Sequence, residues 1–245
     1  MDRRSLLKKL LCFIPAAAAG CLFSSSREPK PGEVKKTGHY GMGIQVDRCI
    51  GCLRCVEACK VENKVPKADH FFRTWVERYI IKRENKVTVQ LVERGEKEYT
   101  VLAPEKETLR SFFVPKLCNH CTNPPCAQVC PVGATFLTEE GVVLVDDDRC
   151  IGCGYCIQAC PYGARYMHPV KKVADKCTFC YHRVKRGKPP VCVMVCPTQA
   201  RVFGDLNSLA SPLVRVIRMK NIHVLKPSLN TEPKVFYTDL DGEVK

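Results

Sequence analysis

The stretch from Cys150 to Pro161 reads C-I-G-C-G-Y-C-I-Q-A-C-P. Cys150, Cys153, Cys156 and Cys160 follow the spacing x2, x2, x3, with Pro161 behind the last. A loop this tight lets three thiolates converge on three corners of one four-iron cubane, and in runs of this spacing the fourth cysteine ligates a different cluster. The stretch is therefore incomplete by itself. It demands a partner elsewhere in the chain.

The chain supplies three. It holds 18 cysteines in 245 residues, of which Cys12 and Cys21 lie near the start and the others fall into four groups. Group one is Cys49, Cys52, Cys55 and Cys59, with the same spacing as the run above, which is group three. The likeness extends past cysteine, since Asp47 to Cys52 matches Asp148 to Cys153 residue for residue. Such self-similarity marks an internal duplication, here of a unit that resembles half of a bacterial two-cluster ferredoxin. Group two is Cys118, Cys121, Cys126 and Cys130, where Asn123-Pro124-Pro125 inserts a turn. Group four is Cys177, Cys180, Cys192 and Cys196, with a basic loop of Arg183, Lys185, Arg186 and Lys188 inside it. Groups two, three and four end in Cys-Pro, at Pro131, Pro161 and Pro197; group one has Lys60 instead. After each Cys-Pro comes a small-residue turn and an apolar stretch that reads as a strand: Gly133 to Phe136, Gly163 to Tyr166 and Gln199 to Phe203. Ile44 to Val46 and Val142 to Val145 read as strands entering groups one and three.

Structural zinc and disulfides are the competing uses of cysteine. Zinc prefers two well-separated pairs around one tetrahedron. Three cysteines within seven residues, then a fourth and a proline, suit a cubane better. Disulfides give no reason for quartets ending in C-x3-C-P.

The net charge of +14 would suit a nucleic acid or an anionic surface. Iron–sulfur chemistry gives it another use. A cubane with four thiolates carries about −2 when oxidised, so four of them add roughly −8. The loaded chain, less its leader, comes near neutral, and nucleic acid is not an expected partner.

Residues 2 to 21 have the layout of an export signal: a basic start, an apolar run from Leu10 to Ala19 and small residues at the end. Adjacent Arg3 and Arg4 resemble the twin-arginine signal. That route carries proteins already folded around cofactors, which reconciles many cysteines with export. Ala18-Ala19-Gly20-Cys21 resembles a lipobox without its usual leucine. Cys21 is a candidate lipidation site, and simple cleavage near Ala19 is the other reading. Residues 22 to 39 read as a polar linker. No window after the leader approaches the ~20 apolar residues needed to span a bilayer.

Taken together, the chain resembles the four-cluster iron–sulfur (beta) subunits of the dimethyl sulfoxide reductase family, whose members serve polysulfide, thiosulfate, tetrathionate, arsenate, nitrite-linked and formate systems. The residues carrying the likeness are Cys55 to Asn63, Leu117 to Cys121 with Pro124-Pro125-Cys126, Ala159 to Arg165, Asp175 to Cys180, and Val224 to Pro227. The resemblance implies a nested ligand pattern. Cys49, Cys52 and Cys55 share a cluster with Cys196. Cys59 joins Cys177, Cys180 and Cys192. Cys118, Cys121 and Cys126 share with Cys160, and Cys130 joins Cys150, Cys153 and Cys156. Four [4Fe–4S] clusters are implied, with no catalytic residue of the chain's own. The implied role is an electron wire between a catalytic molybdopterin-binding subunit and an integral-membrane quinone-interacting subunit, on the periplasmic side of the inner membrane, in anaerobic respiration. A wire in a hydrogenase or cytochrome nitrite-reduction pathway, or a free polyferredoxin carrier, is the alternative.

The expected fold is α+β: two pseudo-symmetric ferredoxin-like units, a β-rich insert and an extended C-terminal arm. The outer unit takes residues 40–70 and 170–204, the inner unit 116–169, the insert 71–115 and the arm 205–245. Within the insert, Trp75 to Ile81 and Val87 to Val92 alternate as strands do, with turns at Glu84-Asn85 and Arg94-Gly95. Leu213 to Met219 reads as a short helix, and Trp75 as a packing residue. His120 and His182 could each donate to a cluster sulfur or be structural. The cysteine pattern predicts about sixteen irons per chain and a broad visible absorption that bleaches with dithionite. Zinc in place of iron would overturn it.

Overall fold

The computed structural model describes residues 39–68, 70–83, 86–92, 108–242 and 244, all within one unit, Lys36–Lys245. The leader with Arg3, Arg4, Cys12 and Cys21, the linker to residue 38, and the turns expected at Glu84-Asn85 and Arg94-Gly95 lie outside the described residues.

Strand β1 (Tyr40–Gln45) leads into group one, and Val46, expected to continue it, turns instead into a short 3-10 segment. Helix α1 (Arg54–Glu62) carries Cys55 and Cys59 on its buried side. Strands β2 (Thr74–Lys82), β3 (Val87–Leu91) and β4 (Thr108–Leu117) form an antiparallel sheet in the order β3-β2-β4. The two strands expected from alternation are β2 and β3. The third runs out of the insert into group two.

Groups two to four repeat one local design. A four-residue helix carries the third cysteine of group two (α2, Pro125–Gln128) and of group three (α3, Tyr155–Gln158). In group four the inserted loop separates α4 (Tyr181–Val184) from α5 (Val191–Met194), and α5 holds Cys192. A short strand follows each Cys-Pro: β5 (Thr135–Leu137), β7 (Arg165–Met167) and β9 (Arg201–Asp205). Each of these pairs antiparallel with a strand that enters a cysteine group. β5 pairs with β6 (Val143–Val145), and β7 with β8 (Ala174–Lys176). β9 pairs with β1, which joins the exit of group four to the entry of group one.

The expected C-terminal arm covers the protein's own core. Helix α6 (Pro212–Met219) buries Leu213 and Val214. Strand β10 (Ile222–His223) follows, and then β11 (Val235–Thr238) enters the four-stranded sheet β10-β11-β1-β9, running parallel to β1. Val235, Tyr237 and Thr238 are fully buried there, and Tyr237 donates to the Pro115 carbonyl of β4 at 3.2 Å. The prolines and polar residues before β11 hide this strand from a reading by periodicity. Gly41 and Gly43 leave the surface of β1 open to Leu213, whose side chain would lie 3.0 Å from a Cβ at either position. One core runs through Met42 and Ile44 of β1, Val76 of β2, Val114 and Leu117 of β4, Phe179 and Tyr237.

The loop of group three depends on Gly152, held at φ +71 with a Cβ site 2.5 Å from the Lys172 carbonyl oxygen. Gly133 also has positive φ (+63) but faces open space. Gly133→Ala is expected to cost about 1 kcal/mol, the left-handed penalty alone. Gly152→Ala must also move backbone and is expected to cost more. The rate of loss of visible absorbance on heating separates the two variants.

Candidate iron–sulfur sites

The repeated loops bring cysteines from distant groups together. Cys49, Cys52 and Cys55 line one small cavity with Cys196, closed by Leu53, Val76, Pro115 and Arg201. Cys118, Cys121 and Cys126 line a second with Cys160, closed by Val143, Tyr162 and Arg165. In a third place Cys59 lies within electrostatic reach of Cys180 and Cys192, and Cys177 of Cys59, Cys180 and Cys192. Asn63 tightens this set, its Nδ2 lying 3.4 Å from Cys59 Sγ and 3.6 Å from Cys180 Sγ. Arg73 holds Asn63 Oδ1 at 3.1 Å and pairs with Asp175 at 2.7 Å. Around group three, Cys150 and Cys156 share a small core with Val143, and α2 packs on α3. Cys153 is the exposed cysteine of the four groups. At the end of group two, burial would raise the Cys130 thiol, but the N–H groups of Thr135, Val132, Ala134 and Gly133 hold it below its ordinary value.

None of these sixteen cysteines is paired in a disulfide. Among the described residues, no three Cys, His, Asp or Glu side chains close around a point that a single ion could occupy. Burial pushes Cys59 and Cys121 up to about 12, and Cys49 and Cys192 up to about 11. Such thiols ionise when metal replaces the proton.

The surrounding charges fit a strongly anionic guest. Arg165, Lys176, Arg201 and Lys234 are all buried, yet no carboxylate is their partner among the described residues. Their neighbours are thiols, hydroxyls and carbonyls. Arg165 Nη2 donates to Cys126 Sγ at 3.0 Å, and its Nη1 to Thr135 Oγ1 at 3.2 Å. Arg201 Nη2 donates to Thr74 Oγ1 at 2.7 Å. Arg165 Nε and Arg201 Nη1 remain buried donors without a partner. Leaving guanidinium groups buried without a counter-charge is costly, and a cluster with four thiolates supplies that charge. The quartets therefore suit iron–sulfur cubanes.

The sequence pointed to the cysteines but not to these cations. A signal was there: Arg165 and Arg201 each stand five residues after the last cysteine of their group, in the repeated pair Ala-Arg, where group two has Thr135. Lys176 and Lys234 carry no such mark. Of the histidines, His120 is a core residue. It accepts from the Val143 N–H at 3.1 Å and stacks on Phe179 with 3.7 Å between ring centres. Burial, together with Lys176, Lys234 and Arg165, holds it well below its ordinary pKa. His182 is exposed and sits 2.8 Å from Glu62. Trp75 donates to Glu77 at 2.8 Å.

Residues 48–134 and 109–206 each match a family described as a 4Fe-4S dicluster domain. The sequence is 42% identical to the B subunit of tetrathionate reductase from Salmonella typhimurium, over 93% of this protein and 82% of that one. The protein belongs to this family of iron–sulfur subunits. It is 47% identical to the B subunit of a tetrathionate reductase from Archaeoglobus fulgidus, over 83% of each. It is 40% identical to the B component of polysulfide reductase from Wolinella succinogenes, over 80% of this protein and 92% of that one.

The C-terminal segment also reaches a site. Thr231 Oγ1 lies 2.5 Å from Tyr162 Oη and bonds the Cys121 thiol, while its carbonyl accepts from the Asn123 N–H at 3.1 Å. Thr231→Val removes the hydroxyl and keeps the shape. It is expected to cost about 1 kcal/mol and to speed cluster loss in a chelator, measured as bleaching of the visible band.

Proposed function

We propose that the four groups hold four [4Fe–4S] clusters in the nested pattern: Cys49, Cys52, Cys55 and Cys196; Cys59, Cys177, Cys180 and Cys192; Cys118, Cys121, Cys126 and Cys160; Cys130, Cys150, Cys153 and Cys156. The observation that carries this reading is the pair of cavities, each lined by three cysteines of one group and a fourth from a group far along the sequence. Arg165–Thr135 would join the two halves of the inner unit (116–169), and Arg201–Thr74 would tie the outer unit (40–70 and 170–204) to the insert.

Each bound cluster would supply one-electron redox chemistry at a buried position. The protein is an electron-transfer subunit, and its residues ligate, shield and set charge. It relays electrons between a catalytic molybdopterin-binding subunit and a membrane quinone-interacting subunit. The reading includes export by Arg3 and Arg4 to the periplasmic side of the inner membrane, with Cys21 as a candidate lipid anchor. Among the described residues no helix is long and apolar enough to cross a membrane, so the quinone-side contact is assigned to a separate subunit. Relatives named as reductase subunits support partners of this kind.

Gentle purification of the tagged protein from membranes, followed by metal analysis, tests the proposal. Molybdenum or tungsten copurifying with iron is expected. Nickel or haem would move the wire to a hydrogenase or cytochrome pathway, and a lone loaded chain would make it a free carrier. Cys196→Ala is expected to disturb the cluster of Cys49, Cys52 and Cys55 while the signals of the other three persist. A change at the cluster of Cys177 and Cys180 instead would overturn the nesting.

A further inference from the structure

Four buried cations have no carboxylate partner among the described residues, and three of them are not scattered. Arg201 lies within electrostatic reach of Cys49 and Cys55 on one side and Cys192 on the other, and also of Cys59. It therefore stands between the first and second proposed quartets. Lys176 lies within reach of Cys177 of the second quartet and of Cys118 and Cys126 of the third. Its Nζ donates to the carbonyls of Val143 and Cys177. Arg165 bonds Cys126 of the third quartet and reaches Cys156 of the fourth. Each gap between neighbouring quartets thus contains one buried cation. All three are at most 5% exposed.

We propose that Arg201, Lys176 and Arg165 are positioning charges of the electron path, each raising the reduction potentials of the two clusters that flank it. This rests on the four-cluster reading above. Reduction adds one negative charge to a cluster. A fixed positive charge in a dry gap stabilises the reduced form and makes it easier to reach, and burial keeps solvent from screening the effect. Because the charge lies between two clusters, it acts on both. The surface lysines and arginines do not have this geometry: Lys185, for example, is exposed and paired with Glu140 at 2.9 Å.

The test is a redox titration of the full-length protein in its native complex, followed by electron paramagnetic resonance at low temperature. Arg165→Gln keeps hydrogen-bond donors without the charge, and Arg165→Lys keeps the charge; Arg201 receives the same pair. In the Arg165→Gln variant the third and fourth clusters are expected to shift to lower potential, each by at least tenfold in the oxidised-to-reduced ratio at fixed potential, about 59 mV for one electron. The first and second should stay in place. Arg201→Gln should reverse that division, and both Lys variants should hold wild-type values. Four intact cluster signals with unmoved potentials in the Gln variants would overturn the proposal, as would equal shifts in Gln and Lys. If the Gln variants lose iron, Lys176→Met decides by the second and third clusters, with unmoved potentials again counting against it. A wild-type protein lacking four clusters would instead defeat the reading beneath it.

Discussion

Sixteen thiols gathered inside a protein of this size can become ligands only if positive charge reaches them as they ionise. Iron supplies most of it, but each finished cubane with its thiolates is still about −2. The fold meets the remainder from within. Arg201, Lys176, Arg165 and Lys234 give up solvent and carboxylate partners to sit beside sulfur. In another setting such groups would be expensive defects. Here their positions are reasonable only with anions beside them, and the anions are stable only with the cations present. Much of the local architecture serves this mutual dependence. Thr135 and Thr74 exist in the core to orient guanidinium groups, and Val143 offers its carbonyl to Lys176.

The strand pairings make that arrangement possible. Each cysteine group ends in a turn that sends the chain into a short strand, and each strand needs a partner to satisfy its backbone. The pairings β5·β6 and β7·β8 are local, so they fix the exit of one group against the entry of the next. The pairing β1·β9 is not local. It places Cys196 beside Cys49, Cys52 and Cys55, closing the largest loop between cysteine groups. Backbone hydrogen bonding thus brings a distant thiol to the cavity of the first group.

Much of this was legible in the amino-acid sequence because iron–sulfur loops are written locally. Spacing within a group, the Cys-Pro ends, the following strands and the repeat of Asp-Arg-Cys-Ile-Gly-Cys are all short-range signals. So was α6, announced by Pro212. The missing parts are long-range. Nothing near Thr74 announces that it will anchor Arg201, 127 residues away. Nothing near Thr231 announces Tyr162, 69 residues earlier. The tail reads as an arm because its prolines and polar residues obscure a buried strand, and burial of Val235 and Tyr237 is a property of the whole sheet. His120 is legible only in part: its place between two cysteines left a structural role and a role toward sulfur both open, and the fold stacks it on Phe179 while its Nε2 keeps no partner among the described residues.

Those long-range contacts also set an order on assembly. Cys196, Arg201 and Thr231 all come from the C-terminal third of the sequence. Cys196 and Arg201 line the cavity of the first cysteine group, and Thr231 bonds Cys121 of the second. β11 lies between β10 and β1, so the central sheet is incomplete until the tail has docked. The second cavity is lined by residues 118–165, but the first cannot be walled off until Cys196 and Arg201 are present. Sealing of the first cavity is therefore a late event, not a property of the segment that carries its first three cysteines. A protein with this dependence is poorly suited to crossing a membrane unfolded, because its early groups would reach the far side as reactive thiols without their fourth ligand or their counter-charge. The export proposed for Arg3 and Arg4 would meet this requirement if the molecule folded around its clusters before it travelled.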